Sequence, residues 1–66
     1  MQIMINGIEK KASENATVGE LFNLTDIKPE QVVVEHNGTI IAPEHYDKTR
    51  LNDGDIIELI QFVGGG

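Results

Sequence analysis

The residues with the clearest chemical potential in this 66-residue chain are its last four, Val63-Gly64-Gly65-Gly66. Consecutive glycines bury no side chain and lose more freedom on ordering than any other residue, so they add little to a fold. Because they lack Cβ atoms, they can pass through a slot that is too narrow for a side chain. Four extended residues span about 13–14 Å. We therefore expect residues 63–66 to form a flexible tail that presents the Gly66 carboxylate, against the alternative of a frayed terminus.

A carboxylate at the chain end points to acyl chemistry carried out by another protein. A free α-carboxyl group is ionised at neutral pH and is unreactive as an acyl donor. It becomes reactive when a partner enzyme adenylates it. The slender shape of the predicted tail suits delivery of Gly66 into such a partner's active site.

The rest of the chain offers few catalytic or metal-binding groups. His36 and His45 are the only imidazoles, each preceded by a glutamate, and the chain has no cysteine. Two histidines without metal-ligand spacing predict solvated or turn-capping roles. Ser13 is the only serine and lies in no nucleophile-elbow motif. Asp53-Gly54-Asp55 lacks the further ligands of a calcium loop and indicates a turn.

The formal net charge of −6 narrows the range of partners. An acidic domain of this size is repelled by phosphate, which argues against nucleic acid, and is attracted to a basic protein surface. The first residues show no signal peptide, and no apolar run is long enough to span a membrane. We expect a cytoplasmic protein that does not bind membranes.

Hydrophobic periodicity predicts five strands, and two Asn-Gly pairs predict two hairpin turns. Thr17 and Glu20 match a capping box and predict a helix from Val18 to about Leu24. The polar segment 43–50 is expected to be irregular, with at most one helical turn around His45-Tyr46-Asp47. The predicted strands cover residues 1–5, 8–12, 31–36, 39–42 and 56–62.

The resulting order is β-β-α-β-β-β, an α+β domain over residues 1–62 in which one helix covers one face of a mixed sheet. Alternation in the last strand predicts that Ile57 and Leu59 face the core and that Ile60 and Phe62 face the other way. With Met4 from the first strand, these two would form an apolar docking patch beside the tail exit. The alternative is that they pack under the 43–50 loop.

The element order and the terminal glycines resemble the β-grasp (ubiquitin-like) proteins and, within them, the ThiS sulfur carriers of thiamin biosynthesis. The similarity spans the whole chain, and its most specific part is the last segment. A third glycine at Gly64 departs from many relatives, which have another small or apolar residue there. The segments that carry the resemblance are Thr17-Val18, residues 33–38 and residues 51–66.

The resemblance implies that the chain is a substrate of enzymes and not an enzyme. A ThiF-like enzyme would use ATP to adenylate Gly66, and sulfur from a cysteine-desulfurase pathway would replace AMP to give a thiocarboxylate. A ThiG-like thiazole synthase would then receive the sulfur. The chain itself would bind no cofactor and no metal.

Three alternatives stay open from the sequence. A MoaD-like sulfur carrier would use the same terminal glycine, although such carriers are usually longer. A ubiquitin-like modifier would use it to form isopeptide bonds with lysines. A passive β-grasp interaction domain would have a tail without chemistry.

Overall fold

The computed structural model describes residues 1–62 and has the predicted order of strands and helix. The predicted tail, residues 63–66, lies outside the described residues. Most predicted boundaries are within one residue of those observed. The elements are β1 (Gln2–Ile5), β2 (Ile8–Lys11), α1 (Val18–Leu21), β3 (Val32–His36), β4 (Thr39–Ile41) and β5 (Ile56–Gln61), with 3₁₀ turns at Phe22–Leu24, Pro29–Gln31 and Pro43–His45.

The five strands form one mixed sheet in the order β2-β1-β5-β3-β4. The pairs β1–β2, β3–β4 and β3–β5 are antiparallel, whereas β1 and β5 run parallel. The last strand in sequence is therefore the central strand in space. The strand that precedes Phe62 has a hairpin on either side of it.

Both Asn-Gly pairs form the predicted hairpin turns. Asn6 and Asn37 have φ of 50° and 49°, and the glycines that follow them have φ of 80° and 89°. Asparagine and glycine tolerate this left-handed region better than other residues. The two turns hold the two hairpins on which the sheet is built.

The helix α1 begins at the predicted capping box and ends earlier than predicted. The Thr17 amide donates to the Glu20 carboxylate at 2.9 Å, and the Glu20 amide donates to the Thr17 hydroxyl at 3.4 Å. After Leu21 the chain tightens into the 3₁₀ turn Phe22–Leu24, which keeps Phe22 on the buried side. No helix within residues 1–62 is long and apolar enough to cross a membrane.

The core lies between the helix and one face of the sheet, and the 43–50 segment closes one side of it. The expected turn around His45-Tyr46-Asp47 instead occupies Pro43–His45, because proline is pre-organised for the first position of such a turn. Tyr46 is consequently buried, and its ring centroid lies 5.9 Å from that of Phe22. The buried apolar residues are Ile3, Ile5, Ala16, Val18, Leu21, Phe22, Val32, Val34, Tyr46, Leu51, Ile57 and Leu59.

Candidate docking face and exit of the chain end

The described structure ends one residue after the central strand β5. The Phe62 amide donates to the Gln31 carbonyl at 3.3 Å, so backbone pairing with the β3 side continues one residue beyond the strand. Phe62 is the last described residue. The predicted site residues Val63, Gly64, Gly65 and Gly66 lie outside the described residues.

Both turn asparagines also hold β5 in place. The Asn6 Oδ1 atom accepts a hydrogen bond from the Leu59 amide at 2.8 Å, and the Asn37 Oδ1 atom accepts one from the Ile56 amide at 2.8 Å. Sequence reasoning missed these bonds, because the Asn-Gly pairs were interpreted only through their backbone geometry. The same side chains that shape the hairpins therefore also hold β5 in position.

The face of the sheet opposite the helix, called the outer face below, exposes several large apolar side chains. Ile60 and Phe62 are 47% and 58% exposed, so they do not pack under the 43–50 loop. Ile60 lies directly opposite Val33 on β3. Ile40 and Ile56 are also exposed, and the alternation of buried residues places them on the same face. Sequence reasoning did not single out these two.

The predicted position of Met4 beside the tail exit is wrong. Met4 is on the outer face, but it pairs with Ile56 at the beginning of β5, because β1 runs parallel to β5. Phe62 lies six residues further along, about 20 Å away at the rise of an extended strand. Met4 therefore stands at the opposite end of the outer face from the exit.

A polar cluster around Asp55 ties the end of β3 to the segment that enters β5. Asp55 is only 6% exposed. Its carboxylate contacts His36 Nε2 at 2.7 Å and accepts hydrogen bonds from Asn37 Nδ2 at 3.0 Å and the Asn52 amide at 2.8 Å. Burial alone would raise the pKa of Asp55, but these hydrogen bonds and the charge of His36 outweigh it and hold the pKa below its ordinary value.

The two histidines of the chain lie in different environments. His36 was expected to be solvated or to cap a turn, yet it is half-buried and paired with Asp55. His45 is exposed in the turn that follows β4. Within residues 1–62, no three histidine or carboxylate side chains lie close enough together to hold a metal ion.

A groove of about 370 Å³ lies on the helix side of the sheet. Ile8, Leu24 and Ile27 form its apolar wall, and Asp26 lies at its rim. Since Ile8 pairs with the buried Ile5, this groove is on the opposite face from Ile60. It is therefore separate from the exposed apolar surface along β5.

Comparison with known proteins connects this arrangement to one family. The sequence profile of the ThiS family matches residues 3–66. The sulfur carrier protein ThiS of Bacillus subtilis is 35% identical over 65 residues, which cover 97% of this chain and 98% of that protein. A thiazole synthase of Paramagnetospirillum magneticum is 36% identical over all 66 residues, but the chain spans only 20% of its length.

A solved structure agrees with the fold. The crystal structure of the thiamine biosynthesis protein ThiS from Geobacter metallireducens superimposes with a TM-score of 0.84, at 35% sequence identity and with full coverage of both chains. This similarity confirms the predicted β-grasp fold. On the sequence match over residues 3–66 and this structural agreement, the chain belongs to the ThiS family.

Proposed function

We propose that this chain is the sulfur carrier for thiazole formation in thiamin biosynthesis. The family match carries the proposal, because it extends through Gly66 and so includes all the terminal glycines. The carrier is a substrate that partner enzymes modify, and the reacting group is its own α-carboxylate. The folded domain binds the partners and presents the chain end to them.

The chemistry begins with activation of the Gly66 carboxylate. A carboxylate oxygen attacks the α-phosphorus of ATP in a ThiF-like enzyme, so that pyrophosphate leaves and an acyl-adenylate forms. A persulfide sulfur supplied by a cysteine-desulfurase pathway then displaces AMP, which breaks the acyl C–O bond and forms a C–S bond. A thiol attacks the outer sulfur of the resulting acyl disulfide, so that a disulfide forms and the thiocarboxylate leaves. The product is a thiocarboxylate at Gly66. Because the activation consumes ATP, we expect it to take place in the cytoplasm.

The thiocarboxylate then delivers its sulfur to a ThiG-like thiazole synthase. The relatives from Paramagnetospirillum magneticum and Magnetococcus marinus support this partner, because each is a thiazole synthase in which a stretch similar to this chain forms about a fifth of the protein. A carrier region joined to a thiazole synthase indicates that the two work on one reaction sequence.

Partners are expected to contact the outer face near the tail exit. The last four residues span at most about 14 Å, so an active site that holds Gly66 must lie close to Phe62. Exposed aromatic and aliphatic side chains such as Phe62 and Ile60 are typical anchors of protein interfaces. Val63, Gly64 and Gly65 would occupy the channel that leads to the reacting carbon. Met4 would take part only if a partner covers the full length of β5.

The proposal is tested by mass spectrometry after incubation with a ThiF-like enzyme, ATP and a sulfur donor. We expect the intact chain to gain the mass difference between one sulfur and one oxygen atom. Reactions without ATP, and a chain that lacks Gly65 and Gly66, serve as controls and should show no gain.

Two results would count against the sulfur carrier. One is an unchanged mass in the complete reaction. The other is the appearance in lysate of covalent adducts between Gly66 and lysine side chains, which would favour a protein modifier.

A further inference from the structure

The two Asn-Gly turns contain a chemically labile arrangement of atoms. In such a pair the backbone nitrogen of the glycine can attack the side-chain carbonyl carbon of the asparagine, because glycine has no side chain that hinders the approach. Asn6-Gly7 and Asn37-Gly38 are both exposed, and no other part of the domain packs against either glycine. Within residues 1–62, neither glycine amide donates a hydrogen bond. Both nitrogens are therefore accessible to this reaction.

The backbones of the two turns are closely similar. The φ angles are 50° and 80° in the first turn and 49° and 89° in the second. Each asparagine amide donates to a carbonyl of β5, Asn6 to Ile57 at 3.0 Å and Asn37 to Ile56 at 2.8 Å. Each hairpin also joins an inner strand to an edge strand. The backbone movement that the reaction requires should therefore cost a similar free energy in both turns.

The side-chain nitrogens of the two asparagines have different environments. Asn37 Nδ2 donates to the carboxylate of Asp55 at 3.0 Å, and His36 and the Asn52 amide hold that carboxylate in place. Within residues 1–62, the side chain of Asn6 makes one hydrogen bond, through Oδ1. The asparagine side chain must turn towards the glycine nitrogen to react. This movement breaks one hydrogen bond at Asn6 but two at Asn37, one of them the stronger bond to a charged group.

We propose that Asn6 is a site of spontaneous deamidation in the folded protein and that the contact with Asp55 protects Asn37. Hydroxide removes the proton of the Gly7 amide, and the nitrogen then attacks Asn6 Cγ to form a C–N bond. The bond from Cγ to Nδ2 breaks, and ammonia leaves with a proton taken from water, which regenerates hydroxide. The remaining succinimide ring is opened by water, which gives aspartate or isoaspartate as a carboxylate and releases a proton.

The two products should affect β5 differently. Aspartate keeps an oxygen that can accept the hydrogen bond from the Leu59 amide, and it adds one negative charge. Isoaspartate adds a methylene group to the backbone of a two-residue turn, whose geometry sets the strand register. It should therefore weaken the attachment of the first hairpin to β5, three residues before Phe62. The inference does not depend on the sulfur carrier role.

The test is peptide mapping by mass spectrometry after the folded protein has been incubated in mildly alkaline buffer. Cleavage by a glutamyl endopeptidase after Glu9, Glu35 and Glu44 places the two Asn-Gly pairs in separate peptides, residues 1–9 and 36–44. Deamidation adds the mass difference between a hydroxyl and an amino group. We expect peptide 1–9 to gain this mass at least about tenfold faster than peptide 36–44. In concentrated urea the two rates should be comparable, because the difference arises from the folded structure.

Two variants give the controls. Asn6→Gly should abolish the mass gain in peptide 1–9. Asp55→Asn replaces the bond to a charged group by a weaker one, so it should raise the rate at Asn37 more than the rate at Asn6. A general loss of stability would instead raise both rates by the same factor, which would overturn the inference. Equal rates in the folded wild type, or no reaction at Asn6 while the unfolded chain reacts, would also overturn it.

Discussion

Asp55 has two structural roles, and the sequence pattern predicts only one of them. Asp55 was interpreted as one position of a tight turn, and it does follow a glycine with φ of 86°. Its carboxylate is also the acceptor for His36, Asn37 and the Asn52 amide. These partners are three to nineteen residues away in sequence, so no short sequence motif predicts the cluster.

The substitution Asp55→Asn should destabilise the protein at neutral pH. The amide keeps the shape but supplies a single acceptor oxygen, while the native carboxylate accepts on both. Hydrogen bonds to charged groups contribute about 1.5–3 kcal/mol each, and we expect a loss of that order in the free energy of unfolding. Urea denaturation at pH 7 measures it, and an unchanged midpoint would contradict the account.

The difference in the free energy of unfolding between the wild type and Asp55→Asn should depend on pH, because the pKa of Asp55 is lowered in the folded protein. A carboxyl group whose pKa is lower in the folded state contributes its full stability above the pKa of the unfolded chain. That contribution is lost as the pH falls through the folded pKa. The gap between wild type and Asp55→Asn should therefore shrink as the pH falls below about 5. A gap of constant size down to pH 2 would show that the Asp55 charge is not responsible.

At the scale of elements, short segments are held in place by contacts with the rest of the domain. The helix α1 has only four residues and would not be stable alone. Its apolar residues Val18 and Leu21 are buried against the sheet. The turn asparagines act in a similar way, since each forms its hairpin and also binds a backbone amide of β5.

The contribution of the Asn6 side chain can be separated from that of its backbone conformation. Asn6→Gly keeps access to positive φ but removes the acceptor for the Leu59 amide, so we expect a loss of about 0.5–1.5 kcal/mol in the free energy of unfolding. Chemical denaturation measures this loss.

Asn15→Gly provides a matched control for Asn6→Gly. Asn15 also has positive φ, at 66°, but its contact with Arg50 uses its backbone carbonyl and not its side chain. We expect this control to be close to neutral. Equal effects of the two substitutions would indicate that only backbone conformation matters at Asn6.

For the whole molecule, the order and type of the elements were predictable from sequence, because capping, turns and alternation are local signals. The burial of Ile57 and Leu59 and the exposure of Ile60 and Phe62 followed from the period of two. The position of Met4 relative to Phe62 could not be predicted from this alternation, because the parallel register of β1 and β5 depends on contacts between distant segments. The burial of Tyr46 was missed for a related reason, since the 43–50 segment has no periodic pattern.

We expect the terminal glycines to contribute little to the stability of the folded domain. The buried apolar residues of the described structure lie between Ile3 and Leu59, so removal of Gly64–Gly66 should hardly change the unfolding midpoint. Leu59→Ala, in contrast, should cost about 2–5 kcal/mol. Thermal and urea unfolding measure both. A large loss after trimming the glycines would mean that they pack against the domain.

If the chain is a sulfur carrier, its reacting atom is the carboxyl carbon of Gly66, which another protein activates. Fragmentation of the thiolated intact chain in a mass spectrometer tests this claim most directly. We predict that fragments containing Gly66 carry sulfur in place of oxygen and that amino-terminal fragments ending at Gly65 have unchanged mass. A mass gain from added sulfur in any fragment that lacks Gly66, or no gain in any fragment after complete reaction with ATP and donor, would contradict the proposal.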